Sequence, residues 1–118
     1  MTATPLTLLV PQAFDKACDR LQEAQQTYTD AANDLVSAKC SLEFRRAETL
    51  CEGVEGKNAE AREAALRLSL FDEYAELAGR EAALNEARGD LEQAKTAWDC
   101  LRYKLRLLEV QKNLEGAA

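Results

Sequence analysis

The chain contains no histidine. That absence removes the commonest general base and every metal site built on imidazole. Cysteine is present but never as a Cys-x-x-Cys pair. Cys18, Cys40, Cys51 and Cys100 are separated by 22, 11 and 49 positions, which is not the spacing of a zinc module. Aromatic residues are only 6% of the 118, with a single Trp, and there are two Pro and five Gly. A chain so poor in strand and turn formers is not a sheet protein. Long apolar runs are also missing. Leu6–Val10 is apolar but five residues long, with no basic residue before it, too short for a signal segment or a membrane span.

What is there is Ala, Leu and charge. Ala and Leu are strong helix formers, and 31% of residues are charged, for a net charge of -6. An acidic surface repels phosphate backbones, so broad nucleic-acid binding is disfavoured, though a local basic patch is still compatible with it. The length fits one domain. Extended helices bury less area per residue than a globule does, which points to assembly of several copies. The plain reading of four scattered thiols in helical patterns is reduced cysteine in a cytoplasmic protein.

Pro5 and Pro11 limit regular structure at the start, so residues 1–11 read as an extended arm. Helix A then runs over 12–51. Phe14, Leu21, Tyr28, Leu35 and Leu42 recur every seven residues, and Ala17, Ala24, Ala31 and Ala38 follow each by three. This is a heptad seam with large side chains alternating with alanine. The phase breaks after Leu42, because Arg45 and Thr49 take the next two seam positions, while Phe44, Ala47, Cys51 and Val54 fall on a shifted face. A stutter or a change of packing partner produces such a shift. Cys40 and Cys51, eleven apart, share roughly one face.

A turn at 52–58, EGVEGKN, carries two glycines, and Asn58 is placed to cap the next helix. Helix B spans 59–115. Leu70, Leu77, Leu84, Leu91, Trp98 and Leu105 sit seven apart, with Ala87, Ala94, Leu101 and Leu108 as companions. A second stripe, Leu68, Phe71, Ala75, Ala78 and Ala82, suggests contact with more than one neighbour. Preserved phase across Gly79 and Gly89 favours a continuous helix; a break at Gly89 would make Arg88–Asp90 a turn and give three helices. At 1.5 Å per residue the helices measure about 60 Å and about 85 Å. Folded back on each other near residue 55, they place Phe14 near residue 96, so Trp98, Leu101, Leu105 and Leu108 lack cover from helix A.

Candidate chemistry is sparse. Carboxylate pairs such as Glu60 with Glu63 and Glu73 with Glu76 could divide acid and base roles only in a pocket that separates their pKa values. They read better as solvated helix faces with partners such as Glu63–Arg67 and Glu76–Arg80. The cysteines lack a base to make them nucleophiles, and the glycines do not form a phosphate loop. The chain therefore reads as a protein without catalytic residues, cofactor or metal. The basic run Arg102, Lys104, Arg106 and Lys112 around Tyr103 is the one local excess, offset by Asp99, Glu109 and Glu115. Its two readings are side chains flanking a packed seam and a single-stranded nucleic-acid contact with Tyr103 stacking on a base.

The segments KNAEAREAALRL at 57–68, FDEYAEL at 71–77 and WDCLRYKLRLLE at 98–109 resemble small coiled-coil proteins encoded by tailed phages. In those proteins a similar KNAEERE start leads into an Ala/Glu helix and a basic C-terminal helix, and the likeness covers about residues 40–115. The resemblance implies a non-enzymatic accessory in the host cytoplasm, of a group without an established activity, some of whose members sit beside replication and recombination functions. The sequence reading is thus an all-α, long antiparallel helical hairpin, a coiled coil assembling into a dimer or higher bundle. It would bind a protein partner through Trp98, Leu101, Leu105 and Leu108. The alternative is an accessory of DNA metabolism holding single strands through Arg102, Tyr103, Lys104, Arg106 and Lys112. No membrane contact is expected.

Overall fold

A computed structural model describes residues 6–117 of the protein, with side chains from 11 to 116. The described residues form three helices: α1 (Leu6–Glu52), α2 (Ala59–Ser69) and α3 (Phe71–Ala117). The all-helical expectation holds. The described residues fall into two compact units, one of residues up to 27 with those from 88 on and one of residues 28–87. Side-by-side helix pairing makes this intelligible, because each turn touches only the turns opposite it.

Residues 28–87 hold the better-buried core. Leu42, Leu66 and Leu70 form its centre, with Val54, Tyr74 and Leu77 packed around them. Leu66 and Leu70 are each only 1% exposed. The heptad residues Leu35 and Ala87 are also buried here. Asp34 pairs with Arg80 and Arg45 with Glu73, so α3 runs antiparallel to α1 within this unit.

In the other unit Ala17, Leu91 and Ala94 are buried. Phe14 meets Trp98 edge to face, ring centroids 5.4 Å apart at 87°. The Ala positions admit close backbone approach, and the large residues fill the layers between them. The register expected from folding near residue 55 is therefore within about one helical turn of the observed one.

Two boundaries differ from the sequence expectation. The arm proposed for 1–11 is helical from Leu6 on, with Pro11 inside α1; its residues 1–5 lie outside the described set. Pro removes one helical hydrogen bond and crowds the carbonyl four residues back, but so near the start this burdens only a terminal turn. Helix B runs unbroken through Gly79 and Gly89, as the preserved phase favours, but it is not one helix. The break is a single residue, Leu70, at φ -108° and ψ 28°. The ladder barely notices: Leu70 N–H still donates to Leu66 O, and Tyr74 N–H to Leu70 O, both at 3.0 Å. Ser69, the weakest helix former in α2, adjoins the bend, and Leu70 at the bend and Leu66 one turn before it are both buried.

The connection between α1 and α2 follows local chemistry. Gly53, at φ 100°, ends α1 in a left-handed conformation that a side chain resists. Gly56 passes so close to α2 that a Cβ there would lie 2.7 Å from the Arg62 amide nitrogen. The Asn58 side chain accepts from Ala61 N–H at 2.8 Å, the expected N-cap.

Candidate interaction surfaces

The polar site with the densest geometry lies in residues 28–87. Where the α1 seam loses its phase, Arg46 reaches Glu63 of α2 with both guanidinium ends, Nη1 to Oε1 at 2.9 Å and Nη2 to Oε2 at 3.0 Å. Nη1 also donates to the Tyr74 hydroxyl of α3. Arg67 adds a 3.4 Å bond to Glu63 and lies over the Tyr74 ring, 5.1 Å from its centroid. One arginine thus ties three helices together with a two-pronged, charge-assisted bond. Hydrogen bonds from Arg46, and then Arg67, hold the Glu63 carboxyl below the usual carboxylate range. The Glu63 and Tyr74 hydrogen bonds raise Arg46 above its ordinary value. Every carboxylate oxygen named here meets a guanidinium, and the arrangement is a clamp. The pairs Glu63–Arg67 and Glu76–Arg80, read from spacing, are both present.

The residues proposed for an interface are distributed unevenly. Trp98 is half-buried, with Phe14 against it, so it does have cover from α1. Leu101 and Leu108 are half-buried and Leu105 is exposed. Pro11 lines one groove with Leu105, Leu108 and Lys112. Phe14, already inside the helix expected over 12–51, thus covers Trp98, whereas Leu105 stays exposed.

The basic residues separate into groups. Arg102, Tyr103 and Arg106 line a common surface groove, together with Asp99 and Glu109. Two guanidiniums and two carboxylates leave that groove near neutral. Lys112 belongs to the neighbouring groove, and Lys104 lines neither of the two.

A second face of α3 went unread in the sequence. Cys100, Tyr103, Leu107, Val110 and Leu114 follow one another at steps of three, four, three and four, the spacing of a helix stripe. Every one of them is exposed, Tyr103 at 70% and Leu107 at 68%. The signal was available in the spacing, offset from the seam through Trp98 and Leu105. In residues 28–87, Leu68, Phe71, Ala75, Ala78 and Ala82, expected to meet another neighbour, are likewise exposed. The shifted face of α1 behaves in two ways: Val54 joins the core, whereas Phe44, Ala47 and Cys51 stay in solvent.

All four cysteines are free thiols. Among the described residues no cluster of three or more Cys, Asp or Glu is arranged for a metal ion, and no helix is long and apolar enough to cross a membrane. No protein-family model, curated protein or solved structure matches the chain.

Proposed function

We propose that this protein is an interaction module that acts by docking a helix of another protein along the C-terminal third of α3. The observation that carries this reading is the exposed stripe Cys100, Tyr103, Leu107, Val110 and Leu114. An apolar face at heptad spacing is what an amphipathic helix needs to pair with. Arg102, Lys104, Arg106 and Lys112 on the same stretch suit a partner helix with acidic flanks. The half-buried Trp98, Leu101 and Leu108 brace this stretch from behind. A phage-type accessory role in the host cytoplasm is in keeping with such a module and with the likeness of residues 40–115 noted above.

A competing role in holding single-stranded DNA draws on Arg102, Tyr103 and Arg106 sharing a groove. Asp99 and Glu109 in the same groove oppose it, since each carboxylate offsets a phosphate contact. The two readings part in one experiment. Nuclease-treated extract of the native cell is passed over the wild-type chain, Leu107→Asp/Leu114→Asp, and R102A/K104A/R106A, with helicity checked by circular dichroism. Docking predicts a captured protein that Leu107→Asp/Leu114→Asp loses and nuclease does not remove. Capture that depends on nucleic acid, or that survives both leucine changes, overturns it.

A further inference from the structure

The outer face of α1 within residues 28–87 is a separate surface, independent of the α3 stripe. Cys40, Phe44, Ala47 and Cys51 are all exposed, Phe44 at 70%, and Val36 and Leu50 flank them in solvent. At about 100° per residue these four fall within roughly 60° of one another, and their centre lies about 180° from that of Leu35, Ala38 and Leu42. The helix therefore carries two apolar faces back to back, one used inside the chain and one bare.

We propose that this bare face docks on the same face of a second copy, antiparallel, about a two-fold axis between Phe44 and Ala47. The size pattern and the charges both select that arrangement. Phe44 is the one large side chain of the four and Ala47 the smallest, so antiparallel pairing seats each Phe44 over Ala47 of the other copy. The same register sets Cys40 opposite Cys51 of the second copy, twice by symmetry. The flanking positions are Glu43 and Leu50 on one side and Ser41 and Glu48 on the other. Parallel pairing would bring Glu43 beside Glu48 of the second copy, a like-charge contact made twice. Antiparallel pairing puts Glu43 beside Leu50 and Glu48 beside Ser41. Sliding one heptad in one direction sets Glu43 against Glu43, and in the other Glu48 against Glu48. Only the register centred between Phe44 and Ala47 is free of like charges among these neighbours. The contact covers on the order of 1,000 Å² over both copies, the small end of specific interfaces and the size of transient ones.

The test uses the full chain with Cys18→Ser and Cys100→Ser, leaving two thiols, and a short bismaleimide whose two double bonds each add one thiol. The expected product is a covalent dimer. Adding Cys40→Ser or Cys51→Ser abolishes it, because like thiols lie about 16 Å apart across the axis at 1.5 Å per residue. Mixing those two single-thiol proteins restores a dimer linked once. Phe44→Glu, at an exposed position, leaves circular dichroism unchanged and turns the dimer into monomer by sedimentation, while capture of a partner on α3 is unaffected. A cross-linked dimer from either single-thiol protein alone overturns the register. A monomer by sedimentation at several hundred micromolar, or a dimer indifferent to Phe44→Glu, overturns the interface.

Discussion

Leu66→Ala tests which side of α2 holds the fold together. Leu66 is 1% exposed and lies against Leu42 and Leu70, with Val54, Tyr74 and Leu77 around them. Returning a buried leucine side chain to water costs about 2 kcal/mol. The void adds more, because its walls belong to three helices joined by the Arg46 clamp and collapse only in part, for a total of about 3 kcal/mol. The better helix propensity of alanine returns about 0.2 kcal/mol. Leu68→Ala is the matched control: the same change two residues on, at a side chain 77% exposed, with an expected effect within about 0.5 kcal/mol. Urea unfolding followed by circular dichroism compares the two at equal slope. In a thermal scan the first variant melts roughly 10–15 °C below the second, at about 3–5 °C per kcal/mol for a chain of this size. Equal losses for both, or a loss below about 1 kcal/mol at Leu66, would falsify the packing described for α2.

Two further perturbations probe the clamp and the continuity of α3. Glu63 has a folded pKa below its ordinary value, so its pairing with Arg46 and Arg67 stabilises the protein above the normal carboxylate range and fades as pH falls through the lowered value. The gap in urea midpoint between wild type and Glu63→Gln should be widest near pH 7 and narrow as acid protonates Glu63 below the ordinary carboxylate range; a gap that does not change with pH contradicts the assignment. Gly89→Ala should stabilise by about 0.5–1 kcal/mol, since Gly89 is helical and a Cβ there meets nothing within 4 Å. A loss of stability would point to a turn at Arg88–Asp90 instead.

Much of the packing is legible from residue spacing, because heptad position and burial obey one geometry. Leu35, Leu42, Ala87, Leu91 and Ala94 were all seam positions, and all are buried. Asn58 as a cap and Glu63–Arg67 as a pair depend on neighbours three or four residues away, which sequence displays directly. Arg46 is different. Its partners are 17 and 28 residues distant, and nothing local marks it as more than a charge at a broken seam. Pro11 reads as a helix breaker, yet it sits near a helix start, where a proline burdens only a terminal turn. The preserved heptad phase across Gly89 is the better guide there, since α3 runs through it. The actual bend at Leu70 carries no such punctuation.

The exposed stripe on α3 is hidden in the sequence for another reason. Beside the seam through Leu91, Trp98 and Leu105, the remaining leucines read as its margin. A helix can hold two independent phases at once, and Leu107, Val110 and Leu114 belong to the second.

The eleven residues of α2 have a consequence for exchange and proteolysis. A peptide of that length does not keep helical structure in water by itself, so its amide protons are shielded only while Leu66 and Glu63 are seated. Their protection should therefore be lost together, as one cooperative opening, with the EGVEGKN connection becoming cleavable in the same event. Survival against a protease at this segment is then governed by one leucine layer and one arginine.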